Sequence, residues 1–208
     1  MLTTSTPNTL SHAFKEWAVA VKALEIGKTI MLLRKGGIHE VDGRFTVAHE
    51  KVVLYPTYEH QKPSLLKSEY ADGVCQLSSV EYQEIDKNIK NIKNMSQISS
   101  WAEITDIFVV HDELKVKALL KFHIWNEHFI SDRLKWKPRQ PLYILLLRAY
   151  KLPKIQEIPN FPEYNGCKSW IDLTQEIDLR GSELALPQTT YNQKVTEIRA
   201  VLSESINQ

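Results

Sequence analysis

"PLYILLLRAYKLP", residues 141–153, is apolar without interruption from Leu142 to Leu147. A strand that exposes one face alternates apolar and polar side chains, whereas a strand apolar at every position must be covered on both faces. The stretch therefore predicts an interior strand, and the helical patterns around it make the fold class α+β.

Toward the C-terminus, residues 171–187 read as mostly irregular. Thr190 and Gln193 are then spaced as a capping box, and Val195, Ile198 and Leu202 follow at helical spacing, which predicts a final amphipathic helix. On the other side, "ELKVKALLKFHIW" (113–125) is dominated by Ala, Leu and Lys and follows Asp112, a good N-cap, so residues 113–122 are expected to be helical. "FHIWNEH" reads as core packing plus a turn. "SWAEITDIFVVHD" (100–112) reads as a strand, with Ile104, Ile107, Val109 and Val110 as core candidates.

Near the N-terminus Trp17, Val19 and Val21 alternate, "EIGK" is turn-like and residues 29–33 are β-rich, which predicts a hairpin. A helix over residues 14–24 competes, because Ala18, Ala20 and Ala23 favour it. Asp42-Gly43 marks a second hairpin, with Ile38, Phe45 and Val47 on one face and His39, Arg44 and Thr46 on the other. The strand through residues 52–54 is expected to stop at Tyr55-Pro56. Further on, Ser78 and Glu81 form a capping box before Ile85, Ile89 and Ile92, a helix whose Lys87, Lys90 and Lys93 face solvent.

The expected organisation is two β-centred halves with a helical connector and a C-terminal helix. Its parts are a flexible tail (1–12), an N-terminal β-rich half (13–62), the connector (63–100), a C-terminal α+β half (101–175), and an irregular segment with the last helix (176–208). Of the five tryptophans, those at 17, 101, 125 and 170 are expected to anchor the cores.

Twenty-six basic residues against 25 acidic ones give a net charge of +1, so no global field would hold a polyanion or a membrane surface. Any such binding must come from a local patch. No apolar run approaches the roughly 20 residues that span a bilayer, and the polar start "MLTTSTPNTLSH" is unlike a secretory signal. No membrane partner is expected. Cys75 and Cys167 form no CxxC pair, which fits a reducing cytoplasm and disfavours a disulfide scaffold or zinc knuckle.

One local patch stands out: in "SDRLKWKPRQP" (131–141), Arg133, Lys135, Lys137 and Arg139 occupy alternate positions around Trp136. Alternating cations can track a phosphate backbone while an indole stacks on a base. The plainer reading is a solvated loop or strand edge with its lysines laid along the surface. A second candidate polar site combines Arg34, Lys35, His39, Tyr58 and His60, which hairpin pairing could gather at one edge beside Gly36-Gly37.

The stretch lacks the patterns of a P-loop and of a dinucleotide site, and the glutamate-rich helix of Nudix-type hydrolases is absent. His39 and His49 fall on opposite faces of an unbroken hairpin, so one ion could not take both, and no metal site is expected. For a metal-dependent nuclease, Asp106 with Glu113-Leu114-Lys115 is the nearest match, but the spacing leaves no room for a separate strand. Glu16 and Glu50 stand in reserve as ligands. No GxSxG elbow is present, and no cofactor is expected beyond the magnesium that the nuclease alternative would need.

The blocks "KEWAVAVKAL", "LLRKGGIHE", "LYPTYEHQ", "FHIW", "RLKWKPRQPLYILLLR" and "GCKSWIDL" together resemble the domain-of-unknown-function 1802 family of cyanobacteria and other bacteria, over residues 14–173. The resemblance carries no assigned activity. It implies a link to restriction-modification settings, hence to DNA or RNA as partner in defence or nucleic-acid maintenance. The enzyme-class alternative is the nuclease; the other is a protein-interaction module whose partner surface Trp136 and Tyr58 mark.

Overall fold

The structure, a computed structural model, describes residues 7–35, 45–72 and 95–203. In chain order the elements are β1 (Thr9–Trp17), α1 (Ala18–Glu25), β2 (Met31–Arg34), β3 (Lys51–Thr57), β4 (Met95–Val110), α2 (Glu113–Ala118), α3 (Glu127–Lys135), β5 (Leu142–Pro159), β6 (Trp170–Asp178), β7 (Glu183–Leu184) and α4 (Gln188–Ser203). The class is α+β with a C-terminal helix. Strands from both β-rich stretches join one mixed sheet in the order β2-β5-β4-β3-β1-β6, with β7 added on β5. β1 and β3 run parallel; the other pairs are antiparallel.

β5 is the strand its apolar run requires. Leu142 and Ile144 to Leu147 are all buried, between β2 on one edge and β4 on the other. Successive residues of neighbouring strands feed two cores, as the pleat dictates. Phe14, Val52, Leu54 and Ala102 enter the larger core with α1, Trp125, α3 and Tyr191, Val195 and Ile198 of α4. Ala13, Val53, Tyr55 and Trp101 enter the smaller one with Tyr164, Ile171 and Ile177. The sheet also curls. Arg34 at the end of β2 donates to the Lys15 carbonyl of β1 at 2.5 Å, although four strand steps separate them along the sheet.

Several sequence expectations are corrected. β1 begins at Thr9, inside the segment read as a tail, and pairs with β6. Neither the hairpin nor the longer helix holds near Trp17: the strand ends there and α1 starts at Ala18. Every residue of α1 from Ala18 to Leu24 except Lys22 is buried, so the helix has no solvent stripe to betray its period. α1 closes with a Schellman motif, Lys28 N–H to Ala23 O and Gly27 N–H to Leu24 O, with Gly27 at φ +69.

Pro56 lies within β3 instead of ending it. β4 pairs with β3 only as far as Val53, so the missing N–H falls where that ladder is already open. Ile104 and Val110 are buried as expected, but Ile107 and Val109 alternate to the outside. Residues 171–187 contain β6 and β7, with Ile171, Leu173 and Ile177 buried. α4 starts at Gln188, so Thr190 is inside the helix and does not cap it. The turn at Asp42-Gly43 and the helix after Ser78 lie outside the described residues, while Phe45, Thr46 and Val47, expected as the second arm of that hairpin, form no strand.

Candidate anion-binding site

α3 opens at Asn126, whose side-chain oxygen accepts the Phe129 N–H at 3.1 Å while its amide nitrogen donates to the carbonyls of Ser64 and Leu66. Phe129 and Ile130 bury the helix against the larger core, with Phe129 stacked on Trp125 and edge-on to Trp17. The basic stretch is therefore not a strand edge. Arg133 and Lys135 occupy the last turn of a helix, and at about 100° per residue they point to opposite sides.

At the other end of this contact, Lys35 follows β2. Its ammonium donates to the Arg133 carbonyl at 2.7 Å and to the Leu134 carbonyl at 3.2 Å, satisfying two of the carbonyls that a helix C-terminus leaves over. This locks α3 to β2 and delivers Arg133 to Arg34. The Arg133 guanidinium lies 5.0 Å from the centroid of Phe129 and that of Arg34 lies 4.5 Å from the centroid of Phe14. Glu16, at the end of β1, is buried and places Oε2 3.1 Å from Arg34 Nη2; its Oε1 accepts the Trp17 N–H at 2.7 Å.

Cations crowd this corner. Burial holds Arg133 below the usual arginine range, and the charge of Arg34 lowers it further, against Glu16 and Asp132, which raise it. Lys35 is lowered by burial first and by Arg133 second. Three cations thus face two carboxylates, and the buried Nε–H of Arg34 has no acceptor among the described residues. A buried donor without an acceptor is costly, and an oxyanion is the natural partner for two adjacent guanidinium forks.

The two sequence candidates are thereby merged in part. Arg34 and Lys35 from one meet Arg133 from the other. Tyr58 and His60 extend beyond β3, which runs beside β1 with Thr57 opposite Trp17. Both are exposed, and His39 lies outside the described residues. Trp136 ends α3 and is 39 % exposed, with the Lys137 ammonium 4.8 Å from its ring centroid. Lys137 takes a left-handed turn, φ +49, and Lys135 and Arg139 are exposed.

The nuclease match does not assemble. Asp106 is ion-paired with Arg199, Glu113 pairs with Lys117 at 2.8 Å, and Lys115 donates to the Leu202 carbonyl at 2.8 Å. Glu16 was legible only as a reserve metal ligand; its role here is counter-charge to Arg34. The signal for α3 was Asn126 ahead of Phe129, Ile130 and Leu134. No described helix is long and apolar enough to cross a membrane.

Fold and site together define an α+β protein built on one curled mixed sheet, with a cation cluster where β1, β2 and α3 converge. The chain belongs to the family described as Domain of unknown function (DUF1802), whose model matches residues 13–197. A search of curated protein sequences found no match. Among solved structures, a point mutant of ZmASCH from Zymomonas mobilis is similar with 14% identity and a TM-score of 0.41, covering 93% of this chain and 99% of that one. ASCH from Zymomonas mobilis is similar with 13% identity and a TM-score of 0.39, covering 89% and 93%.

Proposed function

We propose that the protein binds nucleic acid, taking backbone phosphates at Arg34 and Arg133. The observation that carries this is that Arg34 lies close enough to Arg133 for its charge to lower it, while the buried Nε–H of Arg34 has no acceptor among the described residues, in a chain with almost no net charge. Lys35 supports the site by fixing α3 and adds its charge. Trp136, exposed just beyond the helix that carries Arg133, supplies an aromatic surface of the kind that stacks on bases, worth about 1–3 kcal/mol per base. Because the patch is local, affinity is expected to be modest and to fall with salt in proportion to the few phosphates contacted.

The test is fluorescence anisotropy with labelled single- and double-stranded DNA and RNA at two salt concentrations, followed by incubation with magnesium and a denaturing gel. Saturable binding that weakens at high salt, with the strands left intact, is the expected result. Cleaved strands would make the protein a nuclease instead. No binding to any of the four, or binding indifferent to salt, would overturn the reading and favour a protein partner at Trp136 and Tyr58.

A further inference from the structure

We propose that His12, His49 and Asp172 form a binding site for a divalent first-row transition ion of the zinc class, separate from the cation cluster. One donor atom from each of the three lies within 4.8 Å of the other two, the one such group of His, Cys, Asp or Glu among the described residues. His12 Nδ1 is 2.8 Å from Asp172 Oδ1, and the His12 and His49 rings stack with centroids 3.7 Å apart and planes 7° from parallel. Two imidazoles and one carboxylate are a donor set that suits zinc, copper, nickel or iron, and leave further positions for solvent.

The backbone holds the donors in place. His12 and Asp172 are direct partners across the antiparallel pair β1–β6, one row from Phe14 and Trp170 on the same face. His49 comes from the segment leading into β3. Trp170 ties that segment down: its Nε1 donates to the Thr46 carbonyl at 3.0 Å and its ring meets the edge of His49 at 6.1 Å. Tetrahedral zinc with bonds of about 2.1 Å sets its donors about 3.4 Å apart, and because an imidazole binds through a lone pair in its own plane, one of the two stacked rings must turn out of the stack to share an ion with the other. The side chains of His12 and Asp172 are 42% and 84% exposed, which gives an ion a path in. The sequence pairing of His49 with His39 pointed away from this site, because the partner is His12.

The test is zinc titration of the metal-stripped full chain by calorimetry, with cobalt as a spectroscopic probe. One equivalent of zinc should bind, and cobalt should give a visible ligand-field band of nitrogen and oxygen coordination. His12→Ala, His49→Ala and Asp172→Asn should each weaken zinc by about tenfold or more. His128→Ala, at an exposed histidine elsewhere, should leave it unchanged. Circular dichroism checks that each variant is folded, and His49→Gln serves if His49→Ala is not. The absence of zinc binding, or affinity and cobalt band unchanged by the His49 substitution, would overturn the proposal and reduce the cluster to a His–Asp pair.

Discussion

Glu16→Gln separates what the cation cluster does for stability from what it does for a ligand. The Glu16 side chain is 7% exposed and 3.1 Å from Arg34, itself 18% exposed. Glutamine keeps the shape and an acceptor for the Trp17 N–H but removes the charge. Breaking a buried ion pair by removing one partner costs about 3–5 kcal/mol, and the retained hydrogen bond places this case near the lower end, about 3 kcal/mol. In a chain of this size that lowers Tm by about 6–12 °C. On the ligand the sign reverses. Glu16 competes with phosphate for Arg34, so its neutralisation should tighten nucleic-acid binding several-fold and steepen the salt dependence. Thermal melts by circular dichroism read the first effect and anisotropy titrations the second. A variant as stable as the parent would refute the counter-charge role, and weaker binding would refute the competition and make Glu16 a contact of the ligand or of a metal.

Other outcomes follow from the same structure. Burial, with the charge of Lys67 second, pushes the His123 imidazole down to about 3, and neither ring nitrogen has a hydrogen-bond partner among the described residues. Between pH 6.5 and 3 the unfolded chain therefore takes up a proton that the folded chain does not, and stability falls with falling pH by up to about 1.4 kcal/mol per unit. His123→Leu should remove about 1.6 kcal/mol of the loss between pH 6.5 and 5, read by urea unfolding at both values. Gly27→Ala should destabilise by at least about 1–2 kcal/mol, because φ is +69 and the new Cβ would sit 2.6 Å from the Leu186 side chain; chemical denaturation checks it. Trp101→Ala should cost about 3–5 kcal/mol by the same assay, since this 1% exposed ring stacks on Tyr150 at 4.1 Å and donates to Ser182.

What the sequence made legible was what local pattern controls. β5 showed as an unbroken apolar run. α2 showed through Asp112, whose side chain accepts the Leu114 N–H at 2.8 Å. The β1–α1 junction was illegible because a helix buried all round has neither a polar stripe nor a side-chain cap. Arg34, Lys35 and Arg133 were each singled out, but in two separate candidates. Their meeting depends on β2 pairing with β5 and on α3 docking, contacts that span about a hundred residues of chain. His12 and Asp172 were missed altogether. They are cross-strand neighbours 160 residues apart, and His12 sits in a segment whose Ser, Thr and Pro read as a tail.

The most direct measurement is the slope of log K against log salt for single-stranded nucleic acid, compared between the parent, Arg133→Gln and Arg139→Gln. Each phosphate contact contributes about −0.7 to the single-strand slope. If Arg133 grips a phosphate beside Arg34, Arg133→Gln will weaken binding and flatten the slope by about that amount, while Arg139→Gln, at an exposed position beyond the helix, changes far less. Equal slopes for all three proteins would contradict a phosphate site at the junction of β1, β2 and α3.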